Sequence, residues 1–232
     1  MTISKKEFEL IRGFLHDHSG ILINTGKEYL VENRLPVLMV QNGCEDFEQL
    51  HGKLVKDTVG TLRSKVVDAM TTNETLWFRD SSFAVALEEQ IVPMLIKKAA
   101  TKSKVRIWSA ASSTGQEAYS LAMLLAYGLR KAGAAAPPMS KFSILGTDIS
   151  PSAIFMAKSG RYSQLAISRG MKPGFLERYF VKTGMVQEIK PEIKEIGNYS
   201  AFSVCMNSGH SPLNSKSSAS DAETPCFRQV EM

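Results

Sequence analysis

Residues 71–80 read TTNETLWFRD and set hydroxyl, amide and carboxylate groups directly beside two aromatic residues and an arginine. A helix cap needs a single Ser, Thr, Asn or Asp, so this stretch carries more hydrogen-bonding groups than a cap requires. The residues alone allow two interpretations. The stretch is either a cap followed by a core-facing pair, Trp77 and Phe78, or a loop that contacts a small molecule.

A second stretch that could bind a ligand reads SAASSTG and occupies residues 109–115. Its small side chains would let a ligand approach the backbone and the N-terminus of the helix that follows. It contains one glycine, so the GxGxxG fingerprint of dinucleotide sites is absent and pyrophosphate binding is disfavoured. Taken alone, such a loop is more often a packing device than a ligand site.

Two carboxylates accompany these loops. Asp148 follows a strand-like segment and could accept both hydroxyls of a ribose, or it could cap the helix that Pro151 opens. Glu117 stands in the first helical turn after Gly115, where the helix dipole favours a carboxylate, or where it could face a cationic ligand. Two carboxylates, a ribose acceptor and no phosphate chemistry suit a cationic nucleoside such as S-adenosylmethionine.

The elements that must position these residues fall into two groups. Residues 1–70 show helical periodicity: Ser4 and Glu7 form a capping box, Gly20 ends the first helix, and Pro36 should kink or divide the second. From residue 104 the order is strand, small-residue loop, helix, strand, helix, which predicts a parallel α/β sheet. Parallel sheets bind ligands beyond the carboxyl ends of their strands, where the SAASSTG loop and Asp148 lie.

Composition excludes several classes. The chain of 232 residues is 44% hydrophobic and 22% charged, which is typical of a globular protein, and it has no apolar run of membrane-spanning length and no signal-peptide pattern. Three widely spaced cysteines argue against a disulfide framework and a metal site, and fit a reducing cytoplasm. The net charge of +5 comes without basic runs interleaved with aromatics, so an acidic protein partner is favoured over nucleic acid.

Four blocks, in order and spacing, resemble the CheR family of chemotaxis-receptor glutamate methyltransferases. They are TTNETLWFRD, RIWSAASSTGQEAYSLAM, ILGTDIS and AKSGRYS. Gly20-Ile21, Lys27 and Arg34-Leu35 are similar to that family's helical domain, and the resemblance extends over about residues 5–196. It implies an α/β fold class, in which a small N-terminal helical domain precedes a Rossmann-like S-adenosylmethionine methyltransferase domain.

The resemblance also implies roles for individual residues. The expected cofactor-binding residues are Asn73, Thr75, Arg79, Glu117 and Asp148. Arg79 is in addition the candidate catalytic residue, because it could orient the acceptor carboxylate. Trp77 and Phe78 would be packing residues, and Trp77 departs from the Phe that the family usually has there. The implied reaction is methyl transfer to glutamate side chains on cytoplasmic helices of chemotaxis receptors, by a monomer that uses no metal, binds no nucleic acid and does not insert into the membrane.

The chain after Ile196 departs from the family pattern. Residues 197–232 are serine-rich, lack strand periodicity and match none of the family's remaining blocks. We therefore expect domains at 1–70 and 71–196, an incomplete methyltransferase domain, and a divergent, disordered tail from a truncated or frame-shifted product. The expectation that follows is impaired methyl transfer. The alternative is a non-catalytic remnant that binds receptor or cofactor.

Overall fold

The computed structural model describes residues 1–102, 104–201 and 226–228, which divide into two compact units. The helical unit comprises Met1–Thr72 together with Ile149–Pro151. The α/β unit comprises Asn73–Asp148 and Ser152–Ala201, with residues 226–228. The division after Thr72 lies close to the domain boundary expected at residue 70.

The helical unit has five helices: α1 (Lys5–Ser19), α2 (Glu28–Arg34), α3 (Pro36–Gln41), α4 (Phe47–Val55) and α5 (Thr61–Met70). The predicted capping box at Ser4 and Glu7 is present, and Gly20 closes α1 in the left-handed conformation at φ 73°. Pro36 divides the predicted second helix into α2 and α3, because its ring occupies the position of a helical N–H donor.

The helical unit builds its core from the apolar stripes of these helices. Phe8, Ile11 and Leu15 of α1 are buried with Phe47 and Leu50 of α4. The segment that follows Asp148 belongs to the same unit: Ile149 packs against this core and the Ser150 hydroxyl donates to the Asp68 carboxylate.

The α/β unit begins with an irregular loop and a long helical region. That region consists of α6 (Ser81–Ala86), a π-helical turn (Leu87–Ile91) and α7 (Val92–Thr101). Pro93 lacks the N–H that would continue an α-helical ladder, which accounts for the wider turn immediately before it. The apolar spacing of residues 76–99 predicts a helical stretch that Pro93 interrupts. Instead, the chain stays non-helical up to Asp80, since Phe78 and Asp80 have positive φ.

The main sheet is parallel and has the strand order β6-β2-β1-β7. Its strands are β1 (Val105–Ala110), β2 (Phe142–Asp148), β6 (Gly197–Ala201) and β7 (Cys226–Arg228). Between β1 and β2 the chain forms α8 (Gln116–Ala132), whose buried face lies in one core with Val105, Ile107 and Ile144 of the sheet. The predicted βαβ order is therefore confirmed.

Strand β6 departs from the expectation that no strand follows Ile196. Residues 197–201 pair in parallel with β2, with Gly146 opposite Tyr199, and Tyr199 is buried. The short, weakly patterned segment becomes a strand because β2 supplies hydrogen-bonding partners along its edge. Most of the predicted tail lies outside the described residues.

A small sheet completes the α/β unit. Its antiparallel strands β3 (Arg161–Ser163), β4 (Phe180–Thr183) and β5 (Val186–Ile189) have the order β3-β5-β4. The helices around it are α9 (Pro151–Ser159), α10 (Gln164–Ser168), α11 (Phe175–Tyr179) and α12 (Pro191–Lys194). In the part of the chain that the structure describes, no helix is long and apolar enough to cross a membrane.

Candidate functional site

Two loops at the carboxyl ends of the central strands carry the unusual backbone of this protein. We call residues 71–80 the aromatic loop and residues 109–115 the small-residue loop. The described part of the chain has four non-glycine residues with positive φ, and all four lie in these loops: Phe78, Asp80, Ala111 and Ser113. Such conformations cost free energy and persist where the surroundings enforce them, which is frequent at functional sites.

Asp148 is buried at the end of β2 and is tied to both loops through Ser113. The Ser113 backbone N–H donates to the Asp148 carboxylate at 2.7 Å, and the Ser113 hydroxyl donates to the Asn73 carbonyl oxygen at 2.9 Å. Ser113 is itself buried. A single serine thus fixes the carboxylate of one predicted site residue and the backbone of another.

Glu117 is held at the start of α8. The Ser109 hydroxyl donates to its carboxylate at 2.6 Å. Burial raises the pKa of Glu117, while the Ser109 hydrogen bond and the nearby positive charge of Arg79 oppose that shift. Arg79, a fourth predicted site residue, therefore lies close enough to Glu117 for its charge to act on that carboxylate.

Strand alternation places Glu117 and Asp148 on the same side of the sheet. Ser109, the partner of Glu117, is opposite Gly146 in the β1–β2 register, and Asp148 lies two residues beyond Gly146 on the same face. Among the predicted residues, Asn73 and Asp148 are linked by hydrogen bonds through Ser113, and Arg79 and Glu117 interact by charge. Thr75 is buried within the aromatic loop between them. Their assignment to a cofactor remains a prediction.

Trp77 and Phe78 pack the aromatic loop against the rest of the α/β unit. Trp77 is 1% exposed and makes edge-to-face contacts with Tyr162 and Phe180. The Phe78 backbone N–H donates to the Ser120 hydroxyl at 3.1 Å, which links the loop to α8. Arg79 is exposed, and its Nη1 donates to the Glu74 carbonyl oxygen at 3.4 Å.

Sequence reasoning missed three residues that organise the site: Ser109, Ser113 and Tyr162. The Tyr162 hydroxyl donates to the Thr114 carbonyl oxygen at 2.7 Å and lies 3.2 Å from the position of a Cβ on Gly115. With φ at 93°, Gly115 combines a left-handed backbone with close neighbours. The serines were visible only as small residues, and nothing in the sequence marked Tyr162 as a neighbour of the loop.

The donor set fits a nucleoside that carries positive charge. Asp148 is buried at the end of β2 with a hydrogen-bonded backbone donor, Glu117 lies at the start of α8, and Arg79 is the nearby cation. A polyphosphate would meet the repulsion of both carboxylates. Among the described residues, no group of three or more His, Cys, Asp and Glu side chains is arranged to hold a metal ion.

A parallel sheet with α8 on one face and acidic groups at its carboxyl edge defines the class of nucleoside-binding α/β proteins. Comparison with protein families narrows this class. The model of the CheR methyltransferase all-alpha domain matches residues 6–71, and the model of the CheR methyltransferase SAM-binding domain matches residues 73–212. The second match continues beyond residue 196, where the resemblance was expected to stop.

Individual relatives agree with these matches. Chemotaxis protein methyltransferase 1 of Pseudomonas aeruginosa is 40% identical over 211 residues, which cover 88% of this chain and 73% of the relative. Chemotaxis protein methyltransferase Cher2 of Pseudomonas putida is 37% identical, covering 88% of this chain and 74% of the relative. Chemotaxis protein methyltransferase 1 of Vibrio cholerae is 38% identical, with 86% and 70% covered.

The chain belongs to the CheR methyltransferase family. It is an S-adenosylmethionine-dependent methyltransferase with an N-terminal all-α domain followed by an S-adenosylmethionine-binding α/β domain.

Proposed function

We propose that this chain transfers a methyl group from S-adenosylmethionine to glutamate side chains of chemotaxis receptors. The observation that carries the proposal is the linkage of Asn73, Ser113 and Asp148 at the carboxyl end of β2, in a chain whose relatives are named chemotaxis protein methyltransferases. We further propose that it acts as a monomer in the cytoplasm on the helical regions of those receptors.

Each predicted site residue has a separate proposed role in binding the cofactor or orienting the acceptor. Asp148 would accept the ribose hydroxyls, and Glu117 would face the positive charge of the amino-acid part. Asn73, Thr75 and Arg79 would line the loop that closes on the cofactor, and Arg79 would also orient the acceptor carboxylate through charge-assisted hydrogen bonds. When bound, the cofactor supplies a methyl group that is attached to a sulfonium and is transferred to a carboxylate oxygen. The electron pair of the broken carbon–sulfur bond stays on the sulfur, which leaves as a neutral thioether.

This chemistry requires position more than acid–base help. A glutamate side chain with a pKa of about 4.3 is already ionised at neutral pH, so no proton has to be removed before transfer. Catalysis by this protein would therefore come from orienting the acceptor and from excluding water, which explains a site built of hydrogen-bonded loops.

Two measurements test the proposal. Isothermal titration with S-adenosylmethionine and S-adenosylhomocysteine should show binding at micromolar concentrations, and a radiolabelled methyl-transfer assay should place label on receptor glutamates. Binding without transfer would favour the alternative, a receptor-binding or cofactor-binding remnant. The prediction that transfer by this chain is impaired is tested by the same assay, against a relative such as the Pseudomonas aeruginosa protein. Absence of both binding and transfer would contradict the proposed function.

A further inference from the structure

Residues 166–175 form a segment that holds the aromatic loop from one side, and we call it the clamp segment. It runs from within α10 to the start of α11, between strands β3 and β4 in chain order. Nearly ninety residues of sequence separate it from the loop, yet it contacts the loop through backbone and side chains alike.

Trp77 makes the central contacts with the clamp segment. Its indole Nε1–H donates to the Ala166 carbonyl oxygen at 3.0 Å, and its backbone N–H donates to the Arg169 carbonyl oxygen at 3.1 Å. The indole bond is the one that a phenylalanine could not make, because the phenyl ring has no donor. The tryptophan that departs from the usual Phe of the family therefore adds a tether to α10.

Gly170 brings the clamp segment against the backbone of the loop. Its φ is 97°, and a Cβ at this position would lie 2.3 Å from the Trp77 carbonyl oxygen. A separation of that size is far inside van der Waals contact, and the obstructing atom belongs to the backbone and cannot rotate away. The close approach fixes the peptide group between Trp77 and Phe78.

The neighbouring residue, Phe78, contacts the clamp segment through its ring. Its φ of 47° places it in the left-handed region, which is unfavourable for a bulky side chain. Its ring meets Phe175 edge to face at 5.3 Å, and the Lys172 ammonium lies 5.2 Å from the ring centre. The Glu74–Arg169 ion pair at 2.6 Å also joins the two segments, but it is exposed and contributes little.

We propose that Trp77 is a positioning residue, whose indole hydrogen bond to Ala166 holds the aromatic loop in its strained, cofactor-competent form. The inference rests on the proposed cofactor role of Thr75 and Arg79, which flank Trp77. Loss of the bond would let the strained Phe78 relax toward a commoner backbone conformation. The flanking residues would then spend less time in position, so cofactor affinity falls while the ring still fills the core.

The test compares Trp77→Phe with Trp108→Phe in the full chain. Trp108 is a matched control because its Nε1–H donates to the Thr147 hydroxyl at 2.9 Å, so both substitutions remove one indole hydrogen bond. Trp108 alternates with Ser109 along β1 and therefore faces the opposite side of the sheet from the site.

Isothermal titration with S-adenosylhomocysteine should give a dissociation constant about 3- to 10-fold higher for Trp77→Phe, the range expected for one neutral hydrogen bond. Trp108→Phe should stay within about two-fold of the parent, since its lost bond lies outside the site.

Hydrogen exchange supplies a second measurement that does not depend on the cofactor. The Trp77 and Phe78 amides, which donate to the Arg169 carbonyl and the Ser120 hydroxyl, should exchange about 3- to 10-fold faster in Trp77→Phe and at the parental rate in Trp108→Phe. Unchanged exchange and unchanged affinity in Trp77→Phe would overturn the inference. If the parent protein binds no cofactor, the proposed function of the site fails, and the exchange rates alone then support or refute the positioning role.

Discussion

The carboxylates that cap helices in the helical unit and the serine that organises the site of the α/β unit have hydrogen-bond partners at very different distances along the chain. In the helical unit, the Asp46 carboxylate accepts from the Gln49 N–H three residues away, and the Asp57 carboxylate accepts from the N–H groups of Gly60 and Arg63. In the α/β unit, the corresponding bonds cross 35 residues from Ser113 to Asp148 and 40 residues from Ser113 to Asn73.

Local and remote hydrogen bonds have different consequences for a binding site. A local cap satisfies backbone groups that its own helix leaves open, and it stabilises that helix alone. Hydrogen bonds between remote segments hold two loops in conformations that neither would adopt alone, and both site loops are strained in this way. The helical unit also has remote hydrogen bonds, as where Arg34 Nη1 donates at 2.8 Å to the Met70 carbonyl oxygen 36 residues away, but neither of these residues has a strained backbone with positive φ.

Replacing Gly170, which contacts a segment remote in sequence, should cause the largest loss of stability among the predicted changes. Gly170→Ala adds a Cβ against the Trp77 carbonyl and forces a left-handed backbone on alanine, so we expect a loss of about 3 kcal/mol or more in the free energy of unfolding. Gly184→Ala is the matched control, because Gly184 has φ 61° but no atom within 4 Å of a Cβ. It should cost about 1 kcal/mol. Equal losses in urea unfolding would contradict the close approach.

Removing the Asp148 carboxylate should have the next largest effect, on binding. Asp148→Ala leaves the buried Ser113 N–H without this acceptor and removes the proposed ribose acceptor, so we expect S-adenosylmethionine binding to weaken by about 100-fold. Asp57→Ala is the comparison in the helical unit. It removes a local cap, so it should lower the thermal stability of the helical unit and leave cofactor affinity unchanged. Isothermal titration and thermal unfolding of both variants decide whether the two kinds of carboxylate differ.

Glu117 should reveal a conflict between stability and binding. Burial raises its pKa above the ordinary 4.5, so the folded state holds the proton more tightly than the unfolded state does. The stability that the proton provides is present below pH 4.5 and is lost as pH rises through the raised pKa. Glu117→Gln removes this loss, so at neutral pH its Tm should exceed the parent's by about 2–4 °C for each kcal/mol recovered.

The advantage of Glu117→Gln should shrink as pH falls toward 4.5, where the parent carboxyl also becomes neutral. Cofactor affinity should fall in the same variant, because the carboxylate charge is lost. Glu177→Gln, at an exposed carboxylate, serves as the control and should change neither quantity. A Tm difference that does not vary between pH 4.5 and 7.5 would show that burial of the Glu117 charge is not its cause.

Receptor association should show the smallest effect. Lys27, Arg34, Lys53 and Arg63 are basic residues of the helical unit, some of which we expect to face acidic receptor helices. The last three donate hydrogen bonds to backbone carbonyls of the helical unit. Lys27 is exposed, so Lys27→Glu should slow association with receptor helices by about 2- to 5-fold at low salt. Lys104→Glu, an exposed change at the start of β1, is the control. Identical rates and identical salt dependence for the two variants would refute a docking role for Lys27.

The helical unit shows how far sequence reasoning reaches. The capping box at Ser4, the glycine stop at Gly20 and the break at Pro36 are signals within a few residues of the structure they cause, and all three were confirmed. The interruption at Pro93 was predicted, but its form as a π-helical turn and the non-helical stretch up to Asp80 were not, although both regions carry apolar residues at helical spacing. Tertiary contacts overrode that periodicity, since the clamp segment holds Trp77 outside a helix.

The site divides in the same way. The sequence by itself determined which polar groups exist, the order of strands and helices that carries two loops to one edge, and the family to which the chain belongs. Only the tertiary structure decided that Ser113 joins Asn73 to Asp148, that Ser109 holds Glu117, and that β6 forms along the edge of β2. The physical reason is that a hydrogen bond between residues 35 or 40 positions apart depends on the path of all the chain between them, whereas a cap or a turn depends on its immediate neighbours.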